Sequence, residues 1–367
     1  MTDATPAAAA RGRGTELNRI RLVIAGLAAA TTVAALTATP TQAVTTATTG
    51  VAKVFMVNPV QSSGNQDLTD QKDSATAVPA SEYATVALRN LDGSGYLSGA
   101  FANVKSTTGA LAFSSTNQFV YNRSQDEFEQ VMAYFWINQA QEYLQSLGFG
   151  SSLPAILKRP YDVRINQNGI DNSYMWDKKD LIRLGKGGVD DGEDAEVIVH
   201  EYGHAIHNDQ VPGFGTSFDA GAIGESFGDY FGVSVGLDAA RDNGWPVRAA
   251  ESCPMDWDAT SYDPTAPHCI RNFHTGFTIQ NHPDNWGIHS VGQIWSQALW
   301  EIRLGYVARG LTTEAWDTTL ISSQFHYAPD TTFQAAAKAT YEEALARDGA
   351  KAARLVRDRF AARGITF

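Results

Sequence analysis

His200, Glu201 and His204 stand in the order H-E-x-x-H. On an α-helix, side chains four residues apart lie one above the other, so these two imidazoles can share one metal ion. Glu201 lies beside them on the same surface, where it can take a proton from a water held at that metal. Zinc favours a tetrahedral shell, and a catalytic site keeps one position for water, so a third protein ligand is needed. The continuation H-E-x-x-H-x-x-G-x-x-H would require Gly at 207 and His at 210, where the chain has His207 and Gln210. Glu225, inside Gly-Glu-Ser-Phe-Gly-Asp-Tyr-Phe-Gly at 224 to 232, supplies the alternative. With Asp229 it makes an i, i+4 carboxylate pair on one helical face. Glu225 is thus the expected third ligand. Asp229, one turn on, is placed to accept a hydrogen bond from the far nitrogen of His200, which would fix that ring's tautomer. The two acids are embedded among Ile223, Phe227, Tyr230, Phe231 and Val233, and buried acids need a partner.

Two helices must hold these groups. Ala195, Ile198, Val199, Tyr202 and Ile206 form an apolar stripe at helical spacing, so the first helix is expected to be mostly buried. Asp191, followed by Asp194, reads as its N-cap with acidic support in the first turn. Gly224, Gly228 and Gly232 recur every fourth residue along the second helix and leave a groove that another helix could approach closely. The competing reading, two surface histidines on an amphipathic helix, does not account for the second segment.

These segments resemble the gluzincin metallopeptidases, specifically the thermolysin and fungalysin group, and most closely the fungalysin type. His-Glu-Tyr-Gly-His-Ala-Ile at 200 to 206 and the glycine-rich segment at 224 to 232 are similar to that family's two metal helices. Ile-His-Ser-Val-Gly-Gln-Ile-Trp at 288 to 295 is similar to its third helix, and the Tyr-Phe-Trp and Tyr-Leu-Gln-Ser-Leu-Gly-Phe runs within 134 to 149 to its long N-terminal helix. The resemblance runs from about residue 80 to the C-terminus. It implies an α+β, thermolysin-like two-lobe metallopeptidase: a β-rich N-terminal lobe ending in the zinc helix, a mainly helical C-terminal lobe, and an active-site cleft between them. The expected divisions are 1 to 43, 44 to 214 and 215 to 367.

Several roles rest on the resemblance alone. Asn172 and Ser173 occupy the place of an edge strand that binds extended peptide through its backbone, although an ordinary turn after Asn168-Gly169 explains Asn172 equally well. His289, at a loop-to-helix corner after Trp286-Gly287, is the family's candidate donor to the oxyanion; packing is the alternative. Thermolysin-like enzymes also carry a tyrosine between the second histidine and the glutamate ligand, and residues 205 to 224 contain none. Tyr262 or Arg271 could take its place. Relatives often bind calcium, and Asp190, Asp191, Glu193 and Asp194 could serve it, though helix-start electrostatics explains those acids as well.

The expected reaction is hydrolysis of peptide bonds of proteins by a zinc-activated water, with Glu201 as general base. No G-x-S-x-G elbow or Cys/His pairing suggests a covalent route. A secreted binding protein with structural zinc is the reading from another class, but structural sites are normally closed by four Cys or His ligands. A zinc aminopeptidase of the same clan would carry a Gly-x-Met-x-Asn motif upstream, and Gly185 to Val189 has neither the Met nor the Asn.

Arg11, Arg13, Arg19 and Arg21 precede an apolar run from Leu22 to Leu36 and then Thr41-Gln42-Ala43, the pattern of an export signal cleaved after Ala43. The run is short for a membrane span of about 20 residues. Removing residues 1 to 43 deletes four Arg and two acids, taking the net charge from −12 to −14. An acidic chain without clustered Lys and Arg is not expected to bind nucleic acid; a monomer free of the membrane is expected. In an exported protein, Cys253 and Cys269 are expected to pair in a disulfide, with two free thiols as the alternative.

Residues 44 to about 120 alternate apolar with Ser, Thr, Asn and Gly, which is strand patterning. Asn90 to Gly95 reads as a hairpin turn, and 61 to 79 as a polar loop or part of a pro-segment. Ser124 with Glu127 resembles a capping box before a helix over about 125 to 147. Further helices are expected over 290 to 304, 332 to 346 and 351 to 362.

Overall fold

The computed structural model describes residues 48–167, 169–283 and 287–367. The expected export signal, Asn168 and Trp286 lie outside the described residues. Among the described residues seven strands come first: β1 (Thr48–Phe55), β2 (Tyr83–Leu91), β3 (Ala102–Lys105), β4 (Gln118–Phe119), β5 (Tyr161–Gln167), β6 (Tyr174–Trp176) and β7 (Leu181–Gly185). Two helices interrupt them, α1 (Pro59–Ser63) and the long α2 (Asp126–Ser146). From residue 195 the described chain is helical with loops: α3 (Ala195–Gln210), α4 (Phe218–Asp242), α5 (Ile288–Val307), α6 (Thr313–Gln324), α7 (Phe333–Arg347) and α8 (Ala350–Ala362).

The strands form two sheets. One has the order β2-β1-β4, with β1 antiparallel to β2 and parallel to β4. The other has the order β3-β5-β7-β6; its first three strands are parallel, and β6 runs antiparallel to β7 at the edge. Helix α2 packs on strands of both sheets and on α3. Its Phe128, Met132, Trp136 and Leu144 are fully buried. Each such side chain contributes roughly 1.5–3 kcal/mol by leaving water. The strand alternation expected around Val51 and Ala84 is present, as in the pattern of Tyr83–Leu91, where Ala84, Val86 and Leu88 point inward. Asn90 to Gly95 follows β2 into a reversal closed by the antiparallel bridge Leu91↔Gly99.

Two caps differ from expectation. Gln125, not Ser124, occupies the α2 N-cap and makes no side-chain capping bond, because its Oε1 accepts from Asn122 N and Nδ2, while Ser124 Oγ donates to Asn122 Oδ1. For α3 the cap is Asp194, which accepts from the Glu196 amide at 3.0 Å. Asp191 instead opens a short 3₁₀ turn one step earlier. At α2 a neighbouring polar group offers a competing local hydrogen bond, and before α3 the Asp191 carboxylate is engaged by the sequence-distant Ser173; spacing alone reveals neither.

Candidate active site

Helix α3 buries the stripe read from the sequence: Ala195, Ile198, Val199, Tyr202 and Ile206 are each at most 1% exposed. That fixes its rotation and turns His200, Glu201 and His204 toward α4. The two helices come close because glycines stand at the points of closest approach. A Cβ on Gly228 would lie 2.6 Å from His200 Nδ1, and one on Gly232 would lie 2.9 Å from the Glu196 carbonyl oxygen. Gly203 of α3 meets Gly228 across the contact, its Cβ position 3.1 Å from the Gly228 Cα. Gly224 is different, with nothing nearer than 3.6 Å; two of the three periodic glycines are therefore required by the approach.

This approach brings the expected ligands together. His200 Nε2 and His204 Nε2 are 3.1 Å apart. Glu225 Oε2 is 3.4 Å from His200 Nε2, and Glu225 Oε1 is 3.6 Å from His204 Nε2. Ligands about 2.0–2.1 Å from a tetrahedral zinc ion are separated by roughly 3.3 Å, so these separations, with one carboxylate oxygen facing each imidazole, are of the size such an ion spans. The donor chemistry agrees: Glu225 Oε2 is buried without a hydrogen-bond partner among the described residues, and two ring nitrogens face each other where one cation could satisfy both. His289, at the start of α5, adds its Nε2 at 3.2 Å from Glu225 Oε2, with a largely exposed ring.

Behind the ligands, His200 Nδ1 lies 2.9 Å from Asp229 Oδ1. Arg271 clamps that carboxylate by two bonds, Nε to Oδ2 at 2.6 Å and Nη2 to Oδ1 at 2.5 Å. Arg271, considered from sequence for the oxyanion, therefore braces the carboxylate behind His200. Tyr262, the other candidate, donates its hydroxyl to Asp258 Oδ2 at 3.2 Å.

The site's electrostatics call for positive charge. Burial opposes ionisation of Glu225, but the adjacent imidazoles of His200, His204 and His289 outweigh it and hold the carboxyl below the usual range. Burial likewise disfavours protonated His200, yet Asp229 and Glu225 push it up to about 10. His204, buried with less compensation, falls to about 4. Glu201 is raised to about 7, first by burial, with His200 opposing and Glu225 and Asp191 reinforcing the rise. Its Oε2 has no hydrogen-bond partner among the described residues.

A cleft runs past these groups. One half, about 430 Å³, is lined by Met175, Phe214, Gly221 and Ile288, among others. The other, about 380 Å³, is lined by Asp171, Asp191, Val197, Asp258 and Tyr262 among others. The halves meet at His200, Glu201, Glu225 and His289, which line both. Asn172 and Ser173 also line both halves, but the strand itself begins at Tyr174. Ser173 is engaged internally, its Oγ bonding Asp191 and accepting from the Gly185 amide at 3.1 Å. The resemblance implied an edge strand here, and the edge strand is β6, which starts at Tyr174 just after Asn172 and Ser173; the acids Asp171 and Asp258 were not identified from sequence. The pairing of β6 with β7 is long-range, although the Asp256-Trp257-Asp258 run was visible. The expected disulfide between Cys253 and Cys269 is formed.

The fold is α+β and thermolysin-like, and the site has the geometry of a candidate metal centre. The precursor of protealysin, a metalloproteinase from Serratia proteamaculans, shares the fold with a TM-score of 0.51 at 18% identity, over 72% of this chain and 85% of that one. Residues 166–346 match the family model of the fungalysin metallopeptidases (M36). Extracellular metalloproteinase 1 of Phaeosphaeria nodorum is 23% identical over 155 residues, 39% of this chain and 22% of that protein. Extracellular metalloproteinase MEP of Pyricularia oryzae is 24% identical over 165 residues, 41% of this chain and 24% of that protein. The match thus spans less than a quarter of the length of these relatives. A metallopeptidase family implies a bound metal.

Proposed function

We propose that this chain is a secreted zinc metalloendopeptidase that hydrolyses internal peptide bonds of proteins. The observation that carries the reading is the convergence of His200, His204 and Glu225 at zinc-ligand spacing, with a Glu201 oxygen that has no partner among the described residues beside them in an open cleft. Zinc, when bound by those three side chains, supplies Lewis acidity toward the scissile carbonyl and a more acidic water.

The remaining chemistry belongs to the protein. Glu201 accepts the proton of the attacking water and delivers it to the leaving nitrogen. Its burial keeps its proton affinity close to neutral pH, where both transfers are feasible. His289, reaching in from the start of α5, donates to the carbonyl oxygen as negative charge develops there. Asp229, clamped by Arg271, holds the far nitrogen of His200 and with it the ring's orientation. The free edge of β6 offers main-chain hydrogen bonds to an extended peptide, with Asn172 and Ser173 at its start; such pairing accepts many sequences. Export fits the N-terminal signal pattern and the relatives named as extracellular. No helix among the described residues is long and apolar enough to cross a membrane. Of the acids expected to serve calcium, Asp194 is occupied in capping α3.

The purified protein should contain one zinc by elemental mass analysis and should cleave an unstructured protein at internal bonds. A chelator should stop cleavage, and added zinc should restore it. Glu201→Gln should keep the zinc and lose about 10²–10⁴-fold in rate. Undiminished cleavage by that variant, or by metal-free protein, would refute the reading.

A further inference from the structure

The half of the cleft beyond Arg271 carries more negative charge than zinc ligation and general-base chemistry require. Asp171, Asp191 and Asp258 each present a carboxylate oxygen, all three atoms within 4.8 Å of one another, and all three residues line this half of the cleft together with His200 and Glu201. They come from distant places in the chain. Asp171 precedes β6, Asp191 opens the turn before α3, and Asp258 follows Trp257 in the loop that the disulfide closes. Asp191 and Asp258 are 2% and 4% exposed, and the Oδ1 atom of each has no hydrogen-bond partner among the described residues. Asp171 is exposed at the mouth.

Such orphaned acceptors are costly to bury. The second oxygens are already committed, Asp191 to Ser173 Oγ and Asp258 Oδ2 to the Tyr262 hydroxyl, which orients the free ones. No ion pair joins any of the three to a lysine or arginine among the described residues, and the one arginine lining this half, Arg271, is held by Asp229. The strain shows in their proton affinities. Burial lifts Asp171 to about 6 and Asp191 to about 7, and burial reinforced by its two neighbours raises Asp258 as well. The charge, the depth and the position next to the reacting groups call for a cation that arrives with the substrate.

We propose that Asp171, Asp191 and Asp258 form a subsite for a cationic side chain, lysine or arginine, of the peptide substrate close to the scissile bond. The inference rests on the peptidase reading and names the substrate class it prefers. The hollow, about 380 Å³, has room for such a side chain beyond what a lone metal ion needs. Three carboxylate oxygens at this spacing match the three N–H donors of an ammonium group or the fork of a guanidinium. The apolar wall from Val197, Met255 and Ile270 can cover the aliphatic stem.

The test uses zinc-loaded full-length protein and Nα-acetylated, internally quenched peptides in which each position on both sides of the cleavage point is varied in turn. Lysine should exceed norleucine, and arginine should exceed citrulline, by about tenfold or more in kcat/KM at one position. That ratio should fall toward one in Asp171→Asn and Asp191→Asn. Asp171 is exposed, so its variant should fold, and zinc content with circular dichroism checks both. Equal kcat/KM for charged and neutral side chains at every position, while neutral peptides are still cleaved, would overturn the subsite and leave the peptidase reading intact. Failure to cleave any peptide would instead strike the peptidase reading. Cleavage only of peptides with a free amino terminus would overturn the proposal in favour of an amine anchor. Calcium binding by calorimetry that Asp171→Asn and Asp191→Asn abolish, with no cationic preference in calcium-free buffer, would overturn it in favour of a metal site.

Discussion

Glu201 and Glu225 are both buried carboxylates in one cleft, yet their surroundings suit them to the opposite tasks proposed for them. Glu225 lies between two imidazoles that stabilise its charge, as a ligand requires. Glu201 has one free oxygen and a raised proton affinity, as a base requires. Removing the first should therefore strip the metal while leaving the fold. Glu225→Ala is expected to lose zinc on dialysis against a mild chelator that leaves the native protein loaded, with metal content read by mass analysis; full zinc retention would refute the ligand assignment. Arg271 acts one step further out. It does not reach the metal-facing atoms, but its clamp on Asp229 determines how firmly His200 is aimed, and such outer partners commonly affect metal affinity about 10–100-fold.

The contact between α3 and α4 sets the spacing of the ligands, because one helix carries two of them and the other carries the third. Gly228 is the point of closest approach. Gly228→Ala should push the helices apart, destabilising the protein by about 1–3 kcal/mol and weakening zinc binding. Gly224→Ala meets only ordinary contacts and should be neutral or stabilising by up to about 1 kcal/mol through helix propensity. Urea denaturation of the two variants side by side separates a packing requirement from a general intolerance of alanine. The start of α3 is a second control point. Asp194 caps the helix, and its other oxygen accepts from Asn58 Nδ2 at 3.1 Å and from the Asp258 amide at 3.3 Å. Asp194→Ala should cost at least about 1–2 kcal/mol in thermal melts, since it also leaves those buried donors unpaired.

The whole molecule is acidic, with a net charge of −12, and it buries several of its acids around the cleft. Burial lifts Glu193 to about 8 against the attraction of Arg123, and Asp194 to about 6, alongside Asp191 at about 7 and Asp171 at about 6. An acid that holds its proton more tightly when folded makes the folded state bind more protons than the unfolded one. Stability from these groups is then full below the ordinary carboxyl values, near 4, and is lost as pH rises through about 6 to 8. Self-repulsion of the acidic chain acts in the same direction. The melting temperature should therefore fall between pH 5 and pH 8 in metal-free buffer, and a rise over that interval would contradict the assignment. The disulfide opposes unfolding throughout. Closing a loop of sequence separation 16, it contributes about 3 kcal/mol by the chain-entropy estimate.

Local letters carried the metal motif. H-E-x-x-H on an apolar stripe, followed by a helix with paired acids and periodic glycines, left few ways to satisfy two histidines and a buried glutamate, so His200, His204, Glu225 and Asp229 could be named from spacing. The helices over 126–146, 288–307, 333–347 and 350–362 were legible for the same reason, since a 3.6-residue period is written in consecutive residues. Caps were less legible, because a Ser or Asp near a helix start has several local partners to choose from. What only tertiary structure decided lies in contacts between distant segments. These include Arg271 on Asp229, β6 placed at a sheet edge beside Glu201, and three aspartates from separate loops gathered in one half of the cleft. Spacing along the chain cannot encode such meetings, because packing of the intervening elements determines which loops share a wall.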